Sequence, residues 1–271
     1  MTAPPPPKAS ARVAARLRIP LTFAGAASLV VAIAVDAPAA VRLAGMAVLL
    51  VGLALYVRLG TPISDAIDIA PPVGAGWRAF NSPASRVPSH GLHAWGQTYA
   101  VDLVYDPEDD TRPGTGWWPL ARRPVAFPGF GQPIQAPVSG EVVRAVDRAR
   151  DHLSRTSPFA LAYLVLESVR ELAGPLGVLG NHVVIREPGG RHVLLAHLRR
   201  HSVRVRPGQV VAPGDIVAAC GNSGNSSEPH LHLQVMDRPS AWVAAGLPFT
   251  IQHRTAPRNG QMLVGRLDDD R

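Results

Sequence analysis

The 271-residue chain has a single cysteine, Cys220, so no intrachain disulfide can form. Cys220 ends the apolar run from Ile216, which suits a small buried core residue. A reactive thiol would need an exposed, electropositive setting with a histidine beside it, and the sequence shows none. No Arg/Lys cluster is interleaved with aromatics, which argues against nucleic acid as a partner. Gly114-Thr115-Gly116 lacks the preceding strand and following helix of a phosphate loop, and the next residues, Trp117 and Trp118, read as partly buried loop anchors. Net charge is +7, which suits an anionic partner such as wall polymer or phospholipid headgroups.

Long apolar runs are confined to the N-terminal fifth. Residues 1–18 form a Pro-rich, then basic tail with Lys8, Arg12, Arg16 and Arg18. Uncharged apolar residues run from Ile19 to Val35, are interrupted by Asp36, Pro38 and Arg42, and resume from Leu43 to Val57. At about 1.5 Å per residue, the first run is just long enough for a thin or untilted crossing. Residues 19–58 are therefore expected to sit in membrane lipid as one or two helices. A cleaved signal would have a shorter core and no second run. The basic tail points to a cytoplasmic N-terminus. One crossing then puts the rest of the chain outside, and two return it.

Residues 59–88 hold Pro62, Pro71, Pro72, Gly74, Gly76, Pro83 and Pro88, and read as a linker with little regular structure. From about residue 89 the pattern becomes short β-like runs between turns. Examples are Tyr99–Val104, Asn181–Arg186, His192–Leu198 and Leu231–Met236. One helix is expected over Ser157–Ala173, from Leu161, Leu164, Val165, Val169 and Leu172 at helical spacing. This combination predicts a mainly β, antiparallel domain over 89–250, preceded by a membrane-embedded helical segment and followed by a polar tail, 251–271.

Gly221-Asn222-Ser223-Gly224-Asn225-Ser226-Ser227-Glu228-Pro229-His230-Leu231-His232 carries the strongest chemical signal. A flexible loop enters a strand, and residues two apart share a face. His230 and His232 thus present paired imidazoles, with Leu231, Leu233 and Val235 opposite. A metal ion is the economical reason for burying such a pair. His197 ends another apolar strand, and Asp102 interrupts Tyr99–Val104, where a buried carboxylate needs a cation or several donors. With His90 and His93 upstream, these residues suffice for a site with three protein ligands and one open position.

Pro229-His230-Leu231-His232 after its Gly-Asn-Ser-Gly loop resembles the closing motif of lysostaphin-type (LytM-type) zinc metallopeptidases, and Ala196-His197-Leu198 resembles their middle motif. Gln132–Val143 is similar to their Pro-x-x-Ala-Pro-x-x-Gly-x-Val strand pair, and Val203–Ala219 to the lipoyl-like barrel hairpin they share with carrier domains. The resemblance covers about 90–237. It implies a zinc endopeptidase acting on peptidoglycan peptides, with the domain outside the cytoplasm. It further implies Zn²⁺ held by His90, Asp102 and His232, with His197 and His230 as the catalytic pair. The family's first motif, His-x-x-x-Asp, is broken here, because Thr98 stands four residues before Asp102. A subgroup with Gln-x-Tyr-Ala-x-Asp takes its histidine from further upstream. That makes His90 the first ligand, with His93 as second choice, since Gly91 permits a tight turn. Asn181 matches a polar position beside this site, or else caps a turn. His152, His182, His192, His201 and His253 are assigned no role. A catalytically inactive wall-binding member is the alternative. A lipoyl-type carrier would need a lysine at the hairpin tip Val211–Asp215, which has none.

Overall fold

The computed structural model describes residues 9–57, 65–107, 112–114, 116–158 and 174–263. Two helices open it, α1 (Ala9–Ala34) and α2 (Ala39–Val57). Thirteen short strands follow: β1 (Ile67–Ile69), β2 (Trp77–Phe80), β3 (Val101–Tyr105), β4 (Pro133–Gln135), β5 (Gly140–Val146), β6 (Asn181–Arg186), β7 (His192–Leu198), β8 (Val210–Val211), β9 (Ile216–Ala219), β10 (Leu231–Met236), β11 (Gly246–Leu247), β12 (Phe249–Ile251) and β13 (Arg254–Thr255). A short helix, α3 (Pro175–Leu179), precedes β6. The helix expected over 157–173 falls almost wholly outside the described residues.

The main sheet is antiparallel, in the order β2-β3-β10-β7-β6-β5-β8, with β11 also paired to β10. β7 and β10 are central, and every residue in them is buried. Leu231, Leu233 and Val235 enter one core with Val101, Leu103, Val193, Leu195, Val183 and Ile185. Each such side chain contributes roughly 1.5–3 kcal/mol relative to remaining exposed. The period of two then sends His232, Gln234 and Met236 to the other face. Register sets His232 opposite both Asp102 of β3 and Ala196 of β7.

The stretch expected as a linker is partly built into the fold. β1 pairs in parallel with β12, and β2 pairs with β3 and so supplies the edge of the main sheet. The polar tail also contributes. Met262 bridges to Arg78, and Leu263 is buried in the core. Alternating side chains in Ile67-Asp68-Ile69 and Trp77-Arg78-Ala79-Phe80 bury one face each, a pattern that the nearby Pro and Gly residues mask in the sequence. Trp117 and Trp118, read as partly buried, are 68% and 79% exposed. Cys220 is fully buried, and burial pushes its thiol pKa upward, as for an inert core residue.

α1 and α2 pack antiparallel at close range. A Cβ on Gly25 would lie 2.3 Å from the backbone of Leu49, and one on Gly52 would lie 2.6 Å from that of Thr22. Only glycine allows this approach. Arg12–Ala34 and Ala39–Val57 are long and apolar enough to cross a membrane, and Val30, Val31, Leu43 and Leu50 are exposed on them. Arg42 and Asp36 pair at the turn.

Candidate metal centre

His232 of β10 and the loop residues Asn81, His90 and His230 converge on Asp102 of β3. Its Oδ1 lies 2.9 Å from His232 Nδ1 and 3.6 Å from His230 Nε2. Its Oδ2 lies 3.0 Å from His90 Nε2 and accepts a 2.8 Å hydrogen bond from Asn81 Nδ2. Burial opposes the charge on Asp102, but His90, His230 and His232 outweigh it and hold the carboxyl well below its usual range. The ligand atoms of His90, Asp102 and His232 all lie within 4.8 Å of one another.

His90 reaches the cluster from the loop before β3, where Gly91 takes φ +84°, a left-handed conformation that glycine adopts at little cost. His93 does not reach it. Its Nδ1 is 3.1 Å from Thr98 Oγ1, and burial, then Arg18, lowers its pKa.

The outer nitrogens of His90 and His232 are already engaged. His232 Nε2–H donates to Gln234 Oε1 at 2.8 Å, and Gln234 Nε2 donates to the carbonyl of Trp95 at 2.9 Å. His90 Nδ1–H donates to Ser89 Oγ at 3.0 Å, and that hydroxyl donates to Gln97 O at 3.1 Å. Partners of this kind fix the tautomer and leave the inner nitrogen free as a ligand. Burial opposes charge on His232, yet its bonds to Asp102 and Gln234 raise its pKa overall. A cluster that favours a proton there favours a cation too. Two imidazoles and a carboxylate suit a borderline divalent ion such as zinc.

His197 and His230 stand on the other flank, with ring centroids 4.7 Å apart, and His197 is 5.7 Å from His232. His197, next to last in β7, takes φ +58°, an uncommon backbone conformation for a residue other than glycine. Its Nδ1–H donates to Ser223 O at 2.8 Å, and His230 Nδ1–H donates to Glu228 O at 2.8 Å. Both rings therefore turn Nε2, not Nδ1, towards the cleft. Burial, then His230 and His232, pushes the His197 pKa well below its ordinary value and keeps the ring neutral. A cleft of about 370 Å³ opens over all five residues, walled by Leu92, Trp95, Leu179 and Asn225.

Residues 165–243 match the model of peptidase family M23. This segment is therefore similar to M23 peptidases. The matched segment includes His197, His230 and His232. An uncharacterized metalloprotease of Haemophilus influenzae is 27% identical over 192 residues, covering 68% of this chain and 38% of the relative. The chain thus spans well under half of that relative's length. The catalytic domain of the antimicrobial peptidase lysostaphin from Staphylococcus simulans is 21% identical, with 59% of this chain and 78% of that one covered and a TM-score of 0.33. A putative peptidase M23 from Pseudomonas aeruginosa is 20% identical, with 44% and 38% covered and a TM-score of 0.28.

Two residues at the Asp102 cluster escape the sequence reading. Asn81 lies in the stretch taken for a linker. Gln234 had a usable signal, because a polar residue two places after His232 in an apolar strand must share its face. Asn181 is not at the cleft. Its side chain clips Ala149 to Leu198, with bonds of 2.7, 2.9 and 3.0 Å.

Proposed function

We propose that this M23 domain is a zinc metalloendopeptidase that hydrolyses peptide bonds, with peptidoglycan cross-link peptides as its substrate, and that the α1–α2 hairpin anchors it in a membrane. The convergence of His90, Asp102 and His232 beneath a cleft flanked by His197 and His230 carries this reading. The three former residues would hold the ion. When bound, zinc supplies a Lewis acid that acidifies water and polarises a carbonyl. The remaining chemistry belongs to side chains of the chain. His197 and His230 each face the cleft through Nε2, and an imidazole in its neutral form can accept a proton from water there. Once protonated, the ring can donate it to the departing amine or to a developing oxyanion. Their Nδ1–H bonds to backbone carbonyls hold both rings in the accepting tautomer and steady the imidazolium that forms.

The inactive alternative rested on a displaced first ligand, and His90 at 3.0 Å from Asp102 supports a complete set instead. The test uses the full chain, because residues on either side of 89–250 enter the fold. In detergent, the protein should solubilise purified peptidoglycan. His230→Ala should lower kcat by about two to four orders of magnitude while retaining metal. Retained activity in that variant would remove His230 from the chemistry, and failure of the parent chain to release wall peptides would remove the substrate.

A further inference from the structure

The hairpin meets the domain at the segment that carries the metal-site supports. Ile19 of α1 and Tyr56 of α2 pack into a second core with Ala94, Trp95, Leu194, Ala196 and Met236. Phe23 stacks on Trp242 with ring centroids 6.1 Å apart, and Trp242 meets Trp95 edge-to-face at 5.2 Å. Tyr56 O, one of the last-turn carbonyls that a helix cannot satisfy itself, accepts the N–H of His93 at 3.1 Å. The guanidinium of Arg18 is 5.9 Å from the Tyr56 ring, and Arg12 lies 3.9 Å from Asp237.

From that interface, two short routes reach the ligands. Trp95, held at φ +58°, offers its carbonyl to Gln234, and Gln234 orients His232. His93 lies three residues from His90, in the loop closed by the bond from Ser89 N to Thr98 O. Gly96, at φ +72°, lets this turn sit against the sheet, since a Cβ there would be 3.0 Å from Gln234 Nε2.

We propose that the apolar hairpin is a positioning element of the metal site as well as an anchor: by clamping His93–Gly96 it holds Gln234 against His232 and the His90 loop against Asp102. Docking of the hairpin thereby sets metal affinity, with Gln234 as the positioning residue that transmits it. This rests on the zinc reading above.

Full-length protein in lipid nanodiscs, stripped of metal, is titrated with Zn²⁺ against a chromogenic chelator and with Co²⁺ by visible absorption. Ile19→Ala/Phe23→Ala, which thins the hairpin contact without touching the cleft, should weaken zinc binding about tenfold and alter the Co²⁺ spectrum. Gln234→Leu should weaken it by about 10- to 100-fold. Gln234→Glu keeps an acceptor for His232 Nε2–H but loses the donor to Trp95 O, so it should restore only part of that loss. Zinc affinity within twofold of wild type in Ile19→Ala/Phe23→Ala, with His232→Ala losing the ion, would overturn the proposal and leave the metal site standing. Undiminished binding in His232→Ala would remove the metal site and the proposal together. If the double variant fails to fold, the Gln234 pair decides: equal affinity in the Leu and wild-type chains, or full recovery in the Glu chain, which cannot donate to Trp95 O, overturns the inference, and loss only partly recovered by Glu supports it.

Discussion

Asp102 takes part in most of the interactions at the centre, as one carboxylate in contact with three imidazoles and an amide. Asp102→Asn keeps the shape and removes the charge, so zinc affinity should fall about 100-fold or more while the metal-free fold survives, a pair of results that calorimetric titration and thermal melting separate. Buried histidines away from the cleft shape acid stability instead. His182 donates to Gly180 O at 2.8 Å, and burial lowers its pKa from 6.5 to about 4. The unfolded chain takes up that proton below pH 6.5, whereas the folded chain waits until about 4. Stability present above 6.5 is therefore lost as pH falls through this window, by about 3 kcal/mol at most. Denaturant titrations across pH 4–6.5 should show His182→Asn losing up to about one proton of this slope. His192 keeps its share of the slope, being lowered by burial and then Arg186. An unchanged slope in His182→Asn would assign the acid sensitivity elsewhere.

The strands explain why so much of the site can be read from sequence. β6, β7 and β10 have the boundaries that their alternating apolar patterns predict, and once β10 is a strand His232 must face away from Leu231 and Leu233. Asp102 follows for the same reason, since a carboxylate in Val101-Asp102-Leu103 has to meet partners across the register. His90 becomes readable through Gly91. Asn81 does not, because β2 is short and set among prolines and glycines, and its pairing with β3 is a tertiary event that leaves no local trace. The Phe23–Trp242 contact is equally silent, joining residues far apart along the chain. At this scale the Ala94–Gly96 turn is the sensitive element. Gly96→Ala adds a methyl at a positive φ and against Gln234, so it should lower both melting temperature and zinc affinity, whereas exposed Gly190→Ala, also at positive φ but with nothing within 4 Å, should lower only the first.

The described residues form a β domain seated on a helical hairpin, with the histidine-lined cleft next to that seat. Antiparallel α1 and α2 return the chain to the side on which it began, so the start of α1 and the β domain share one face of any membrane the hairpin enters. Reporters fused before Met1 and after Arg271 should therefore give the same-side signal in intact cells, and a wall substrate requires that side to be the outside. Opposite signals would mean that only one helix crosses and that the tight Gly25–Leu49 packing is not kept in lipid.

The proposed chemistry depends on a cation bridging His90, Asp102 and His232. Metal analysis of the purified full chain, alongside His232→Ala, tests this most directly. About one equivalent of zinc per wild-type chain and almost none in the variant is the expected result. A wild-type chain that holds no divalent ion after exposure to zinc, or a variant that holds as much as wild type, would contradict it.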